Sequence, residues 1–172
     1  MKITKSIKIK ASIEKVWQVW AVEFDKAGDW MSQVVHAVEK KEGQLALGSP
    51  MIGRVCTFSD KENAPYAEED IKLFDKENYR LNIQVVPYNL PAPVVQNLLK
   101  SKLNKVSEEE TEIVFEANIE IKTVGYFLYP ILKGGLSKGL DEILEELKYY
   151  AEKGIVHPRK LKKLEKRSVK VA

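Results

Sequence analysis

The sequence predicts an α+β domain in which a curved antiparallel sheet of about six to seven strands wraps around a long C-terminal helix. The first observation is strict alternation from Thr111 to Lys122. Ile113, Phe115, Ala117, Ile119 and Ile121 fall on one face, and Glu112, Glu116, Asn118, Glu120 and Lys122 on the other. That is a half-buried antiparallel strand. The second is a change to helical spacing from Val124 to Lys153, ending at Gly154. The third is order: a strand, two short helices, a run of strands, then the long helix. A helix laid over the dry face of a curved sheet encloses space that a small apolar ligand can fill.

Ile3, Ile7, Ile9 and Ala11 alternate with Thr4, Lys8 and Lys10, predicting a first strand over Lys2 to Lys10. Ser12 is placed to cap a helix, with Glu14 in its first turn favourable to the helix dipole. Ile13, Val16, Trp17, Trp20 and Phe24 recur at spacings of three and four, predicting an amphipathic helix to about Phe24. Asp25 to Met31 reads as a second short helix or turn containing Trp30. Strands follow over Gln33 to Lys41, Ser49 to Ser59, Tyr66 to Phe74 and Tyr79 to Val86, the last two joined by Asp75-Lys76-Glu77-Asn78. In that hairpin Ala67, Ile71, Leu73, Leu81, Ile83 and Val85 share the dry face. Asp60 to Pro65 is a polar loop, and Pro87, Pro91 and Pro93 make a rigid break. In Val94 to Val106 the apolar set Val95, Leu99 and Leu103 also suits a helix, whereas Lys100, Lys102 and Lys105 alternate as in a strand. A strand is expected, because Ser107 to Glu110 then turns into the strong strand after it.

Three glycines, Gly134, Gly135 and Gly139, interrupt the apolar stripe of Leu132, Leu136, Leu140, Ile143 and Leu147. Each interior glycine costs a helix roughly 1 kcal/mol relative to alanine. Close approach to the sheet or room for a ligand would explain them; so would a kinked or delayed helix start near Pro130.

At 172 residues, with 44% apolar and 31% charged residues, the chain suits one soluble globular domain. No run reaches the roughly 18 apolar residues that span a bilayer, and Met1 to Lys8 lacks a signal peptide's apolar core. Cys56 is the single cysteine, which fits a reducing compartment, so the cytoplasm is expected. The net charge of +3 is unevenly spread. Seven basic residues between Val156 and Ala172 face one acid, Glu165, leaving 21 basic and 24 acidic groups elsewhere. The chain thus divides into a domain over 1–154 and a basic tail over 155–172.

Catalytic chemistry is sparse. His36 and His157 are far apart, and a lone histidine in phase with Val34 and Val38 is more often a satisfied or rim residue than a catalyst. Cys56 would meet His36 only across neighbouring strands. No HExxH, CxxC or phosphate-loop pattern occurs, so no metal or cofactor site is expected. Glu69 is in phase with Ala67, Ile71 and Leu73. An inward carboxylate must be paired, neutralised or wet, and would orient a polar head group or act as general acid or base. Alternatively it sits at a rim or is turned out by a bulge. Asn97 and Ser101, in phase with Leu99, and Tyr66, Tyr79, Tyr88, Tyr126 and Tyr129 are further polar candidates.

Several stretches carry a family resemblance. They are Ile7-Lys8-Ile9-Lys10-Ala11-Ser12-Ile13-Glu14-Lys15-Val16-Trp17, then Asp29-Trp30, Glu69 to Asp75 with Tyr79-Arg80-Leu81, and Glu145 to Glu152. Together they resemble the helix-grip superfamily: START-like lipid-transfer domains, the polyketide cyclase/dehydrase group and the plant pollen allergens. The resemblance implies an apolar cavity between sheet and helix, for which the dry faces offer Ile71, Leu73, Leu81, Ile83, Leu99, Phe115, Ile119, Leu132, Leu136, Leu140 and Ile143. It implies a binding or carrier protein for a small hydrophobic or amphipathic molecule, or alternatively a cyclase/dehydratase-like enzyme using Glu69.

In the tail, Arg159, Lys160, Lys162, Lys163, Lys166 and Arg167 interleave with Leu161 and Leu164. Such a segment suits weak contact with an anionic membrane or, without sequence preference, a nucleic-acid backbone. The alternatives are a solvated terminus or two leucines docked on the protein's own body.

Overall fold

Alternating faces make seven strands, and they assemble into one antiparallel sheet in the order β1-β7-β6-β5-β4-β3-β2. These are β1 Lys2–Ile9, β2 His36–Glu39, β3 Gly53–Thr57, β4 Tyr66–Asp75, β5 Arg80–Tyr88, β6 Val94–Ser107 and β7 Glu110–Ile121. The computed structural model describes residues 1–90 and 92–171, excepting the side chains at 124, 126 and 168–171. Pro91, Ala172 and the side chains of Val124, Tyr126 and Lys170 lie outside the described residues.

The inner face of β7 is buried at every second position from Thr111 to Ile121. Its register against β1 sets Ile7 opposite Ile113 and Ile3 opposite Ala117. The ambiguous segment is β6, a strand throughout and paired along β7.

Ser12 caps α1 (Ile13–Trp17), its hydroxyl accepting from the Lys15 amide at 3.3 Å. The expected single helix to Phe24 does not stay regular. Gln18–Val22 widens into a π turn, with the Glu23 amide donating to the Gln18 carbonyl at 2.9 Å. The extra residue lets Val19, Trp20 and Ala21 all bury before Phe24 opens a 3₁₀ turn leading to α2 (Ala27–Trp30). Trp20 packs in a tilted arrangement against Phe115 at 4.7 Å, and Trp17 meets Phe74 at 5.1 Å.

One hairpin position departs from alternation. The β4–β5 register shifts between Ile71 and Leu73, so Phe74 lies opposite the buried Leu81 and Leu73 opposite Asn82. The bulge at Lys72 turns Leu73 to the outer face, and Phe74 takes its place inside. β2 and β3 are shorter than their apolar runs. Met31 to Val34 leaves the strand pattern and turns inward, with Met31, Ser32 and Val34 buried.

The long helix starts later than the helical spacing from Val124 implied, in agreement with the alternative of a delayed start near Pro130: a 3₁₀ segment, Thr123–Leu128, leads into α3 (Tyr129–Lys153), which ends at the left-handed Gly154. α3 packs chiefly along β1, and Lys5 of that strand pairs with Asp141 at 2.8 Å. Its buried residues are Leu140, Leu144, Glu146, Leu147 and Ala151, with none before Leu140. The basic tail forms α4 (Pro158–Val171).

Close approach does not explain the glycine pair. A methyl group added at Gly134 or Gly135 would meet nothing within 4 Å, and one at Gly139 would meet only the Gln33 side chain. The helix is also continuous through them. Gly134→Ala and Gly135→Ala are therefore expected to stabilise the protein by about 1 kcal/mol each. Thermal unfolding should shift upward by roughly 2–4 °C per substitution. A lowered melting temperature would mean that the helix needs those positions bare.

Candidate functional site

Because α3 follows β1, the far half of the sheet is left partly uncovered. There a cavity of about 460 Å³ opens between β4–β7, α3 and α4. Its apolar wall is built from Ala67, Val85, Pro87, Val94, Ile119 and Leu136, with Phe58, Pro65 and Leu90 from the loops. The polar groups in that wall are Gln33, Asn97 and Lys163. Asn97 Oδ1 is buried and has no hydrogen-bond partner among the described residues.

Of the cavity residues expected from the sequence, Ile119 and Leu136 line this space. Ile71, Leu81, Ile83, Leu99 and Phe115 do not; they are buried core, because the indoles of Trp17 and Trp20 fill that end of the sheet's concave face. Leu140 is likewise core, and Leu132 and Ile143 are half-buried on α3 outside the cavity wall. Leu73 lies on the outer face, beside a separate depression of about 820 Å³ rimmed by Lys72, Asp75, Lys76 and Glu77.

Glu69 points inward and is committed. Arg54, in phase with the buried Cys56 on β3, donates to Glu69 Oε2 through Nε at 2.8 Å and Nη2 at 2.6 Å. The guanidinium also lies 3.9 Å over the Phe24 ring and donates to the Phe24 carbonyl at 2.6 Å. Glu69 therefore locks β4 to β3 and the helical segment, and it is not in the cavity wall. Burial, with the charge of Glu69 nearby, pushes the Cys56 thiol up to about 12, so it stays protonated. His36 faces the other way, exposed, and meets Asp60 at 3.1 Å. Ser101 is closed off too: it accepts from the Trp20 indole at 2.8 Å and donates to the Leu81 carbonyl at 3.0 Å. Tyr66 stacks on Tyr88 at 4.7 Å, and Tyr79 packs edge-on to Trp17.

The basic tail supplies what periodicity did not reveal. It docks through its cations, while Leu161 and Leu164 remain 45% and 40% exposed. Arg159 donates to Glu145 and to the fully buried Glu146, each at 2.7 Å. Glu146 also accepts from the Ser32 amide at 2.7 Å. Lys160 is 3% exposed and donates to the carbonyls of Val34 at 2.8 Å and Met31 at 3.3 Å. Burial, reinforced by the charge of Arg167, lowers its pKa below the ordinary lysine value. Arg167 grips Asp60 through two 2.7 Å hydrogen bonds. Burial tends to raise the Asp60 pKa, but the hydrogen bonds from His36 and Arg167 outweigh it and hold the carboxyl below its usual range.

No family model matches the chain, and a sequence search of curated proteins returns no match. Solved structures do resemble it. A START superfamily protein from Mycobacterium smegmatis aligns with a TM-score of 0.60 at 11% identity, covering 99% of each chain. Ara h 8.0201 aligns at 0.64 and 12% identity, over 88% of this chain and 97% of its own. A Thalictrum norcoclaurine synthase variant, solved with a transition-state analogue, aligns at 0.61 and 15% identity, over 88% and 93%. The fold is the START-like helix-grip fold.

Two outcomes follow for the site's supports. Breaking a buried ion pair from one side strands the other charge, so Glu69→Gln should cost about 3 kcal/mol in denaturant unfolding. Arg54→Met with Glu69→Leu should recover most of that loss; a single-site cost below about 1 kcal/mol would contradict a buried pair. For α4, the Asp60 carboxyl is depressed, so its contribution persists above the usual carboxylate range and disappears as pH falls through the lowered value. Asp60→Asn at neutral pH should therefore reproduce the acid effect: faster trypsin cleavage and faster amide exchange in α4 than in α3. Equal rates in variant and parent would show that Asp60 does not hold the helix.

Proposed function

We propose that the protein binds and carries a small apolar or amphipathic molecule in the cavity between β4–β7 and α3. One observation carries this reading: a largely apolar wall around about 460 Å³, to which Asn97 contributes a polar side chain whose buried Oδ1 has no hydrogen-bond partner among the described residues. Small-molecule sites span roughly 300–1,000 Å³ and combine such walls with a few polar groups. Apolar burial at about 25 cal/mol per Å² supplies affinity, and the Asn97 amide fixes orientation. The resemblance in fold to START-like and pollen-allergen proteins supports the same reading. Glu69 takes no part in it, being bound to Arg54. A membrane or nucleic-acid contact through α4 is left out as well, because Arg159, Lys160 and Arg167 are engaged with the body.

A ligand of the native state raises thermal stability with concentration, by about 2.7 kcal/mol at one hundred times Kd. Fatty acids, fatty alcohols, lysolipids and aromatic metabolites, screened by thermal shift and native mass spectrometry, should include a stabilising ligand of one-to-one stoichiometry. Leu136→Trp fills the cavity from a half-buried position and should weaken that ligand at least about tenfold, the order expected when well over 1 kcal/mol of contact is blocked. If no apolar compound binds, or if Leu136→Trp leaves binding intact, the proposal fails.

A further inference from the structure

A second space adjoins the first. It measures about 400 Å³ and lies between the Ser32–Val35 segment, the Phe58–Lys61 segment and α4. The two spaces share Gln33, Phe58 and Lys163 in their walls. The first is mainly apolar; the second contains Lys61, Lys160, Lys163, Lys166 and Arg167 against the single acid Asp60. That acid is already used by Arg167 and His36.

Two of these cations bear directly on a ligand. Lys160 is buried and rests on two carbonyl oxygens, with no carboxylate in salt-bridge distance among the described residues. The carboxylates of Asp29 and Glu146 act on this ammonium only from beyond contact distance, so its direct partners are carbonyl dipoles, and an anion in the space would add a contact it lacks. Lys163 stands in the shared wall, and none of the described carboxylates forms an ion pair with it. A third group points the same way: Ser32, 3% exposed, lines the second space, and its buried Oγ has no hydrogen-bond partner among the described residues. A hydroxyl donor beside unpaired ammonium groups suits oxygen atoms of an anion.

From this juxtaposition we infer that the ligand is an amphipathic anion. Its apolar body lies against Ile119 and Leu136, and its carboxylate or phosphate head lies between Lys163 and Ser32. This rests on the carrier reading and narrows it. A cationic amphiphile would meet like charges, and a neutral one would leave Ser32 and the lysines without gain. Gln33 stays out of the head-group contact, because its amide nitrogen donates to the Gly139 carbonyl and to Glu142, each at 3.3 Å.

The test compares probes sharing one alkyl chain: dodecanoate, dodecyl phosphate, dodecanol and dodecylamine, each below its micelle-forming concentration, by titration calorimetry at physiological salt. The full-length protein should bind dodecanoate or dodecyl phosphate at least about tenfold more tightly than dodecanol, as expected for one charged hydrogen bond. Whichever anion binds more tightly tells a carboxylate from a phosphate head. Lys163→Gln alters an exposed side chain, so its melting temperature should match the parent's. It should weaken the preferred anion by about tenfold while leaving dodecanol unchanged. Dodecanol binding as well as both anions, or an anion preference unaltered by Lys163→Gln, would overturn the head-group assignment and leave the carrier reading standing. Failure of all four probes would overturn both.

Discussion

The fully buried carboxylate of Glu146 is the joint on which the arrangement of helices depends. A carboxylate removed from water is tolerable only with donors on both oxygens, and it has them: the Ser32 amide and the Arg159 guanidinium. Those donors come from two other parts of the chain, the turned-in segment after α2 and the start of α4. One side chain of α3 thereby fixes where the segment carrying Ser32 and Gln33 lies, and where the cations of α4 begin. Both cavities share walls made by that segment and by α4. The space is held by polar chemistry, even though its main wall is apolar.

The aromatic residues explain why that space sits where it does. Trp17 packs on Phe74 of β4, Trp20 on Phe115 of β7, and Phe24 on Arg54 of β3, and together they make that part of the concave face solid core. A residue as large as tryptophan, fully buried, contributes several kcal/mol of apolar transfer, and little room is left beside it. The open end is the one that the buried part of α3, from Leu140 onward, does not cover; there α3 contributes only Leu136. Packing and vacancy are thus divided along the strands, with the bound Glu69–Arg54 pair tying β4 to β3.

Much of this was legible because one buried face imposes period two. β7 alternates without a break, and β6 followed from the turn after it despite a pattern that also fitted a helix. The misplacement of Leu73 has a definite cause: the bulge at Lys72 is marked by no glycine or proline, so alternation continued across it reverses the faces. The π turn hid in the same way, since Trp17, Trp20 and Phe24 keep helical spacing while the backbone adds a residue. Arg54 had a signal, an arginine in phase with Cys56. Lys160 had almost none. Within a run of cations, charge patterning cannot say which ammonium turns inward; that depends on the carbonyls of Met31 and Val34, far away in sequence.

The uneven burial of α3 has a mechanical consequence. From Leu140 onward the helix is anchored by core side chains and by Glu146, whereas Tyr129 to Gly139 has no fully buried residue and carries all three of the helix's interior glycines. It behaves as a cantilever, clamped at one end and lightly held along the other, where Tyr129 and Leu136 are partly buried and Gln33 donates to the Gly139 carbonyl. Opening the lightly held part breaks few apolar contacts, so it belongs to the low-cost end of local unfolding, well below the cost of unfolding the sheet. Leu136 of the cavity wall lies on that part. The helix side of the cavity wall can therefore bend without loosening the sheet that forms its floor.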